Sequence, residues 1–418
     1  MKEVHVTEII LAQHTEDAAL IYLQRRAAVH APHFALLYLQ RLDERLAAHL
    51  DGLCVAAQEG RPWLREEDGD LPGALFAETV VALTEQPSRL DALLSRTALL
   101  PDEFQDELIA ALGWVDANCL KGTVQHLLAS ENPFRRRIGL VACTQHRVNP
   151  GSILHGAFNA EDPALRACAA HTAAKLGMVE MREHCRTLLS DADPRVSFQA
   201  AWGGVLLGER SDCLARLGAW AAQPGPQQTD ALRLWLLAAA PTDAHNLLAR
   251  LRKAPEHIRT LITGSGVVGD PHYLPWLLQQ TENPALARLA GEAFTLITGL
   301  DLSEADLESE APPGAASGPD DDPESDDLSD DPDENLPWPD AAKLQAWWQA
   351  NAADFPAGQP FFMGQPRDTG IALTTLRGGY QRQRRLAALI LALHSPDAVL
   401  FNIAAPARRQ KQLLQWLS

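Results

Sequence analysis

Leu127-Leu-Ala-Ser-Glu-Asn-Pro133, Leu188-Leu-Ser-Asp-Ala-Asp-Pro194 and Leu277-Leu-Gln-Gln-Thr-Glu-Asn-Pro284 are three variants of one phrase, a leucine pair running into an Asn-Pro or Asp-Pro step. Around them prolines recur at 101, 133, 163, 194, 226, 255 and 284, at intervals of 32, 30, 31, 32, 29 and 29 residues. Six residues past each proline from Pro133 onward stands Gly139, Ala169, Ala200, Leu232, Leu261 or Ala290, every one small or apolar. Self-similarity at a period of about thirty residues marks a stacked array.

The chemistry of one unit explains the phrase. Asn or Asp before the proline is a good N-cap, because its side chain accepts a bond from an orphan N–H of the first helical turn. Proline at the first helical position sacrifices no hydrogen bond. Some way downstream come Lys175-Leu-Gly177, Leu206-Leu-Gly208 and Ile297-Thr-Gly299, where glycine can take the left-handed conformation that stops a helix. A second helix follows, for example Met178 to Leu189, and its leucine pair leads into the next cap. Each unit is thus a helical hairpin too small to bury its own apolar stripe, and stacking on its neighbours completes the core.

Composition sets the outer limits. The chain has 418 residues, more than one compact core usually holds, so several domains or an extended array are expected. Its net charge of −18 is uneven: fourteen acidic residues and no Lys or Arg lie between Glu304 and Glu334, and the rest of the chain carries only −4. A near-neutral folded part lacks the basic footprint of a duplex binder, which argues against nucleic acid. Met1 to Ile10 carries Glu3 and Glu8 with no apolar core, which predicts no secretory signal. The apolar run Leu386–Leu393 has eight residues, against the ~20 that span a bilayer. The cysteines at 54, 119, 143, 168, 185 and 213 form no Cys-x-x-Cys pair and read as reduced core residues of a cytoplasmic protein.

The flanks do not share the phrase. Thr15 is expected to open a helix to about Val29, followed by the corner His30-Ala-Pro-His33 and a longer helix to about Ala57 with Leu39, Leu42, Leu46, Leu50 and Leu53 on one stripe. Further helices are expected near 73–85 and 87–99. Ser303 to about Pro337 is Asp, Glu, Pro, Ser and Gly with almost no apolar content, the composition of a self-repelling linker that cannot offset its ordering entropy. After it, Pro339-Asp340 starts a helix carrying Leu344, Trp347 and Trp348, then a turn-rich loop Gln359–Gly364, a helix with Leu386, Leu389, Ile390 and Leu393 on one face, and a helical tail from Arg408 to Trp416. The organisation expected is therefore a helical region at 1–100, repeats at 101–300, an acidic linker at 301–338 and a helical segment at 339–418.

Asp162-Pro-Ala-Leu-Arg-Ala-Cys-Ala-Ala and Gly269-Asp-Pro-His-Tyr-Leu-Pro-Trp-Leu-Leu resemble HEAT-type repeats, particularly the short kind seen in bilin lyases. The resemblance covers roughly residues 101–300 and implies an all-α, HEAT-like α-solenoid of stacked helical hairpins, with helical N- and C-terminal caps. His14–Leu53 and Arg382–Leu393 are also similar to the ends of a bacterial family of such proteins whose members are sometimes encoded beside type VI secretion genes. That second resemblance brings no functional residues with it.

Gly264-Ser-Gly266-Val-Val-Gly269 is a literal G-x-G-x-x-G, but it sits in the first-helix register with no βαβ alternation around it. His30 and His33 lack a third ligand. His184-Cys185 has nothing in sequence to orient it as a catalytic pair. Asp322, Glu324 and Asp326 alternate as in a calcium loop, yet Asp327 stands where the turn needs glycine. The expectation is a protein-binding adaptor or scaffold, not an enzyme, with no metal, cofactor, nucleic acid, membrane or small-molecule substrate. The resemblance adds type VI effectors or their loading machinery as clients. Candidate partner-binding residues are Phe361, Phe362 and Met363 with Arg382, Arg384 and Arg385, because aromatic and Arg side chains most often carry interface energy. The same phenylalanines could instead plug the end of the array. The alternative class is an enzyme on a helical solenoid, such as a DNA glycosylase or a bilin lyase.

Overall fold

The computed structural model describes residues 2–62, 72–100, 102–312 and 331–416. Their fold is all-α, with twenty-one α-helices, short 3₁₀ turns and one two-stranded hairpin among the described residues. No helix among them is long and apolar enough to cross a membrane. All six cysteines are free thiols. The chain divides into two compact units, one of Met1–His30, Phe34–Gly208 and Pro396–Ser418, the other of Ala31–His33 and Glu209–Ser395.

The first unit opens with α1 (Lys2–Ala28), α2 (Leu36–Gln58), α3 (Pro72–Thr84) and α4 (Leu90–Thr97). It continues with α5 (Asp102–Trp114), α6 (Thr123–Leu128), α7 (Pro133–His146), α8 (Ile153–Phe158), α9 (Pro163–Lys175), α10 (Arg182–Thr187) and α11 (Pro194–Leu206). Helix α1 starts well before the expected Thr15. On α2 the stripe Leu39, Leu46, Leu50 and Leu53 is buried as its spacing requires, while Leu42 is only partly covered. Long and short helices then alternate: α5, α7, α9 and α11 pack in succession, and α6, α8 and α10 each pack on the long helix that follows.

The proline phrases open the long helices as read. Asn132 Oδ1 accepts the Phe134 N–H at 2.9 Å, Asp162 Oδ1 the Leu165 N–H at 2.7 Å, and Asp193 Oδ1 the Arg195 N–H at 2.8 Å. Within the first unit Arg166 then ties one repeat to the next, donating two bonds to the Asp191 carboxylate at 2.8 and 3.0 Å. The phrase is looser at Pro226, which lies in the turn before the next long helix, and at Pro255, which opens a 3₁₀ turn.

The second unit contains α12 (Asp212–Ala221), α13 (Gln228–Ala238), α14 (Pro241–Leu251), α15 (Ile258–Val268), α16 (Leu274–Gln280) and α17 (Pro284–Thr298). Here α13, α15 and α17 pack in succession, with α14 on α15 and α16 on α17. Then come α18 (Ala341–Asn351), the strands β1 (Phe361–Phe362) and β2 (Gln365–Pro366), α19 (Thr369–Gly378) and α20 (Gln381–His394). Helix α19 was not anticipated, and the expected loop at 359–364 is a hairpin. The last helix, α21 (Ala407–Trp416), belongs to the first unit.

The expected linker is packed at both described ends. Leu302 and Leu307 are buried in the core around Phe294 and Leu344, and Glu308 bridges to Pro339. Two apolar side chains spaced five apart are enough to anchor a segment whose average composition is polar.

In the first unit the stretch 396–416 runs as a strap over the C-terminal ends of the long helices, meeting them in reverse chain order. Pro396 lies against Gly208 after α11, and Asp397 and Ala398 lie against Gly177 after α9. The Leu400 N–H donates to Lys175 O at 2.9 Å, Asn402 donates to the Gln145 side chain at 2.7 Å, and Arg409 donates to Gly113 O and Val115 O, both at 3.0 Å. Helix C-termini leave carbonyls without intrahelical partners, and the strap supplies donors to them. Gly177 and Gly208 have φ of +66° and +90°, the left-handed cap expected of the Leu-Gly steps. At Gly177 the missing side chain serves a second purpose, since a Cβ there would lie 2.5 Å from Asp397 O and 2.6 Å from Ala398 O.

Candidate functional site

The residues singled out for partner binding do not form a free surface. Phe361 and Phe362 are 5% and 3% exposed, and Phe361 packs on Phe355 with ring centroids 5.1 Å apart. Met363 (φ +51°) and Gly364 (φ +80°) form the two-residue turn between β1 and β2, and positive φ at both centres is the hairpin turn that matches strand twist. The hairpin caps two long helices: Phe361 N–H donates to Gly269 O at 2.8 Å after α15, and Met363 and Gly364 N–H donate to Leu296 O and Ile297 O of α17 at 2.7 and 3.1 Å. Arg367 adds bonds to Val267 O and Val268 O at 3.1 and 3.3 Å. The loop is thus buried structure that caps α15 and α17, and its phenylalanines are not open to a partner.

Arg384 is fully buried, donating to Leu376 O at 2.8 Å and to the Gln381 side chain, and burial pushes its guanidinium down to about 10. It joins α19 to α20 and cannot meet a partner. Arg382 and Arg385 stay partly exposed beside acids of other helices: Arg382 pairs with Glu292 at 3.0 Å, and Arg385 lies 3.9 Å from Asp230.

Those two arginines belong to a larger cluster that sequence alone did not assemble. Arg233 of α13, Arg259 of α15 and Arg288 of α17 join them, and the Asp331-Pro332-Asp333 turn of the acidic segment lies against the last two. Asp333 Oδ2 accepts from Arg259 Nη2 at 2.6 Å, Arg288 pairs with Asp331, and Arg382 donates to Pro332 O. Trp338 stacks on the Arg288 guanidinium, 4.6 Å from its ring centroid. Burial opposes ionisation of Asp331, but the Asp333 N–H and Arg288 outweigh it and hold the carboxyl below its ordinary range. Burial raises Glu292 despite Arg382 and Arg233, and burial followed by the nearby Arg385 charge lowers Arg233.

A second constellation lies in a cleft of about 600 Å³ between α14 and α16. Its α14 wall is His245, Leu248 and Ala249, one helical face, with Arg252 capping the helix, and its other wall carries Tyr273 and Trp276. The buried Asp270 carboxylate accepts the His272 and Gly358 N–H groups, both at 2.9 Å, and meets His245 Nε2 at 3.2 Å. His245 Nδ1 lies 2.6 Å from the Tyr273 hydroxyl. His245 thus stands between the two oxygens, Nε2 toward the Asp270 carboxylate and Nδ1 toward the Tyr273 hydroxyl. Burial, then Asp270, pushes Tyr273 up to about 12, which keeps the phenol protonated. Asp270, His245 and Tyr273 therefore form a contiguous polar series, hydrogen-bonded between His245 and Tyr273, that can orient a ligand or move a proton.

The remaining sequence candidates resolve into packing. Gly264 and Gly266 lie within α15, where a Cβ would meet Leu248 at 2.7 Å and the Ala293 backbone at 3.0 Å. The glycine motif is thus a close helix crossing. Cys185 is buried, which pushes its thiol up to about 12, and His184 turns to Phe158 and His155, with ring centroids 5.2 and 5.3 Å away. His126, His155 and His184 take corresponding positions on the short helices α6, α8 and α10, at intervals of 29 residues. Asp322, Glu324 and Asp326 lie outside the described residues. No family model, curated protein or solved structure matches the chain.

Proposed function

We propose that the chain is a HEAT-like α-solenoid that works as a protein-binding scaffold and offers the faces of its short helices to partners. The order of packing within each unit supports the architecture, since consecutive long helices pack on one another, α5 on α7, α7 on α9 and α9 on α11 in the first unit and α13 on α15 and α15 on α17 in the second. The observation that carries the function is the cleft between α14 and α16. It joins an apolar floor of Leu248 and Leu261 to Tyr273, Trp276 and Arg252, the residue types that dominate interface energetics. The histidines on α6, α8 and α10 extend the reading, because corresponding positions repeat one surface chemistry from unit to unit. The bacterial resemblance gives type VI effectors or their loading machinery as the clients to test first.

The test is co-purification from the cells that make the protein, comparing wild type with a Trp276→Ala, Arg252→Ala pair. Both side chains sit at least partly in solvent, so thermal stability should hold while clients retained by the wild type are lost. Equal recovery from both would refute the cleft as the partner site. The Asp270–His245–Tyr273 series favours a second reading, an enzyme on the same scaffold. In that case Tyr273→Phe, which removes only the phenolic oxygen, abolishes turnover of any converted ligand while binding survives.

A further inference from the structure

The arginine cluster of the second unit reaches beyond the short-helix surface, because it is built on the long helices. Arg233, Arg259 and Arg288 come from three successive long helices, and α20 adds Arg382 and Arg385. Part of this face is already engaged by a short peptide turn of the same chain. The turn is an Asp-x-Asp clamp: the Asp333 N–H donates to Asp331 Oδ1 at 2.9 Å, and this local bond spaces the two carboxylates for separate arginines. One falls on Arg288, the other on Arg259 at 2.6 Å, and the carbonyl between them accepts from Arg382. Pro332 and Glu334 are exposed, so the turn brings no apolar side chain of its own to the contact. Charge and hydrogen bonds hold it, so a second acidic segment of the same chemistry can compete for the same arginines. Seven further acidic residues lie just before it in sequence, between Asp320 and Asp330, with no Lys or Arg among them.

We propose that this face is a recognition site for acidic peptide segments carrying an Asp-x-Asp motif, and that Asp331–Asp333 occupies it in cis as a built-in competitor. A peptide is the fitting occupant. The site reads a backbone carbonyl together with two carboxylates, and Asp230 and Glu292 stand among its arginines, which reduces its attraction for a polyphosphate backbone. A tethered segment competes at an effective concentration on the order of 1 mM, so a site of about 100 μM intrinsic affinity is masked roughly tenfold.

A fluorescent synthetic peptide of residues 320–335 serves as the probe, read by anisotropy against the full chain. Asp331→Asn with Asp333→Asn keeps the size and acceptor oxygen of each side chain and removes the charges. That variant should bind the peptide at least tenfold tighter than wild type. Adding Arg259→Gln and Arg288→Gln should abolish the gain, and raised salt should weaken it. Asp331→Asn alone leaves the buried Asp333 in place and should show part of the gain, which guards against a folding defect in the double variant. Equal binding by wild type and both variants, or binding by none, overturns the proposal. So does a single-stranded oligonucleotide of equal charge that binds the double variant as tightly as the peptide, since it would make the face a general polyanion site.

Discussion

Gly177→Ala and Gly122→Ala form a matched pair that isolates what the strap contributes to the first unit. Both glycines have left-handed backbones, with φ of +66° and +82°. A methyl group at Gly122 would meet nothing within 4 Å, whereas one at Gly177 would lie 2.5 and 2.6 Å from the carbonyl oxygens of Asp397 and Ala398. The shared cost of placing alanine in the left-handed region is about 1–2 kcal/mol. Only at Gly177 must the strap also move away by roughly 1 Å to restore an ordinary contact distance. That shift breaks the bond from the Leu400 N–H to Lys175 O, at about 1 kcal/mol. It also loosens Phe401, which is 7% exposed, for a further 1–2 kcal/mol or so.

Gly177→Ala should therefore exceed Gly122→Ala by about 2 kcal/mol, or about thirtyfold in an opening equilibrium. Hydrogen-exchange mass spectrometry of the peptides covering 396–407 reads this directly, because the loss is local to the strap. Exchange there should accelerate about thirtyfold in Gly177→Ala and stay near wild type in Gly122→Ala. Equal protection in the two variants would show that the strap does not depend on the glycine cap.

Replacing Phe361 and Phe362 with Ser should lower the melting temperature by many degrees, since each buried Phe is worth about 3–5 kcal/mol; unchanged melting would restore the surface reading of that loop. Deleting 303–337 should destabilise the second unit, because Leu307 and the two arginine-bound aspartates are removed with it; a melting temperature equal to wild type would refute the docking of its ends. The Asp191 carboxyl is held below its ordinary range chiefly by Arg166, with burial opposing. Its contribution is present above the unfolded value of 3.8 and fades as pH falls through the lower folded value. The deficit of Asp191→Asn in urea denaturation at pH 7 should thus shrink below pH 4, and a deficit that grows on acidification would reverse the sign.

The features legible in the sequence were those written within one turn or one repeat. An Asp-Pro step declares a helix start because the cap and the N–H it satisfies lie two or three residues apart, and Leu-Gly declares an end for the same reason. The repeat period carried more than was taken from it. In a stacked array, corresponding positions of adjacent units are neighbours, so residues about 28–31 apart should touch. They do: Thr144 bonds Thr172 at 3.1 Å, His171 bonds Gln199 at 3.0 Å, His155 stacks near His184, and His245 bonds Tyr273 at 2.6 Å. The cleft's His245–Tyr273 pair was therefore within reach of the period. What escaped has no period. The strap meets its helices across more than two hundred residues, through Leu400 on Lys175 and Arg409 on Gly113. The sequence mark it leaves on the repeat is the glycine it crosses. That glycine already had a sufficient local explanation as a helix stop, so the second constraint on the same residue was hidden behind the first. The arginines of α20 were assigned to a partner surface for a related reason: the acids beside them, Asp230 and Glu292, arrive from α13 and α17 and are invisible in the local sequence.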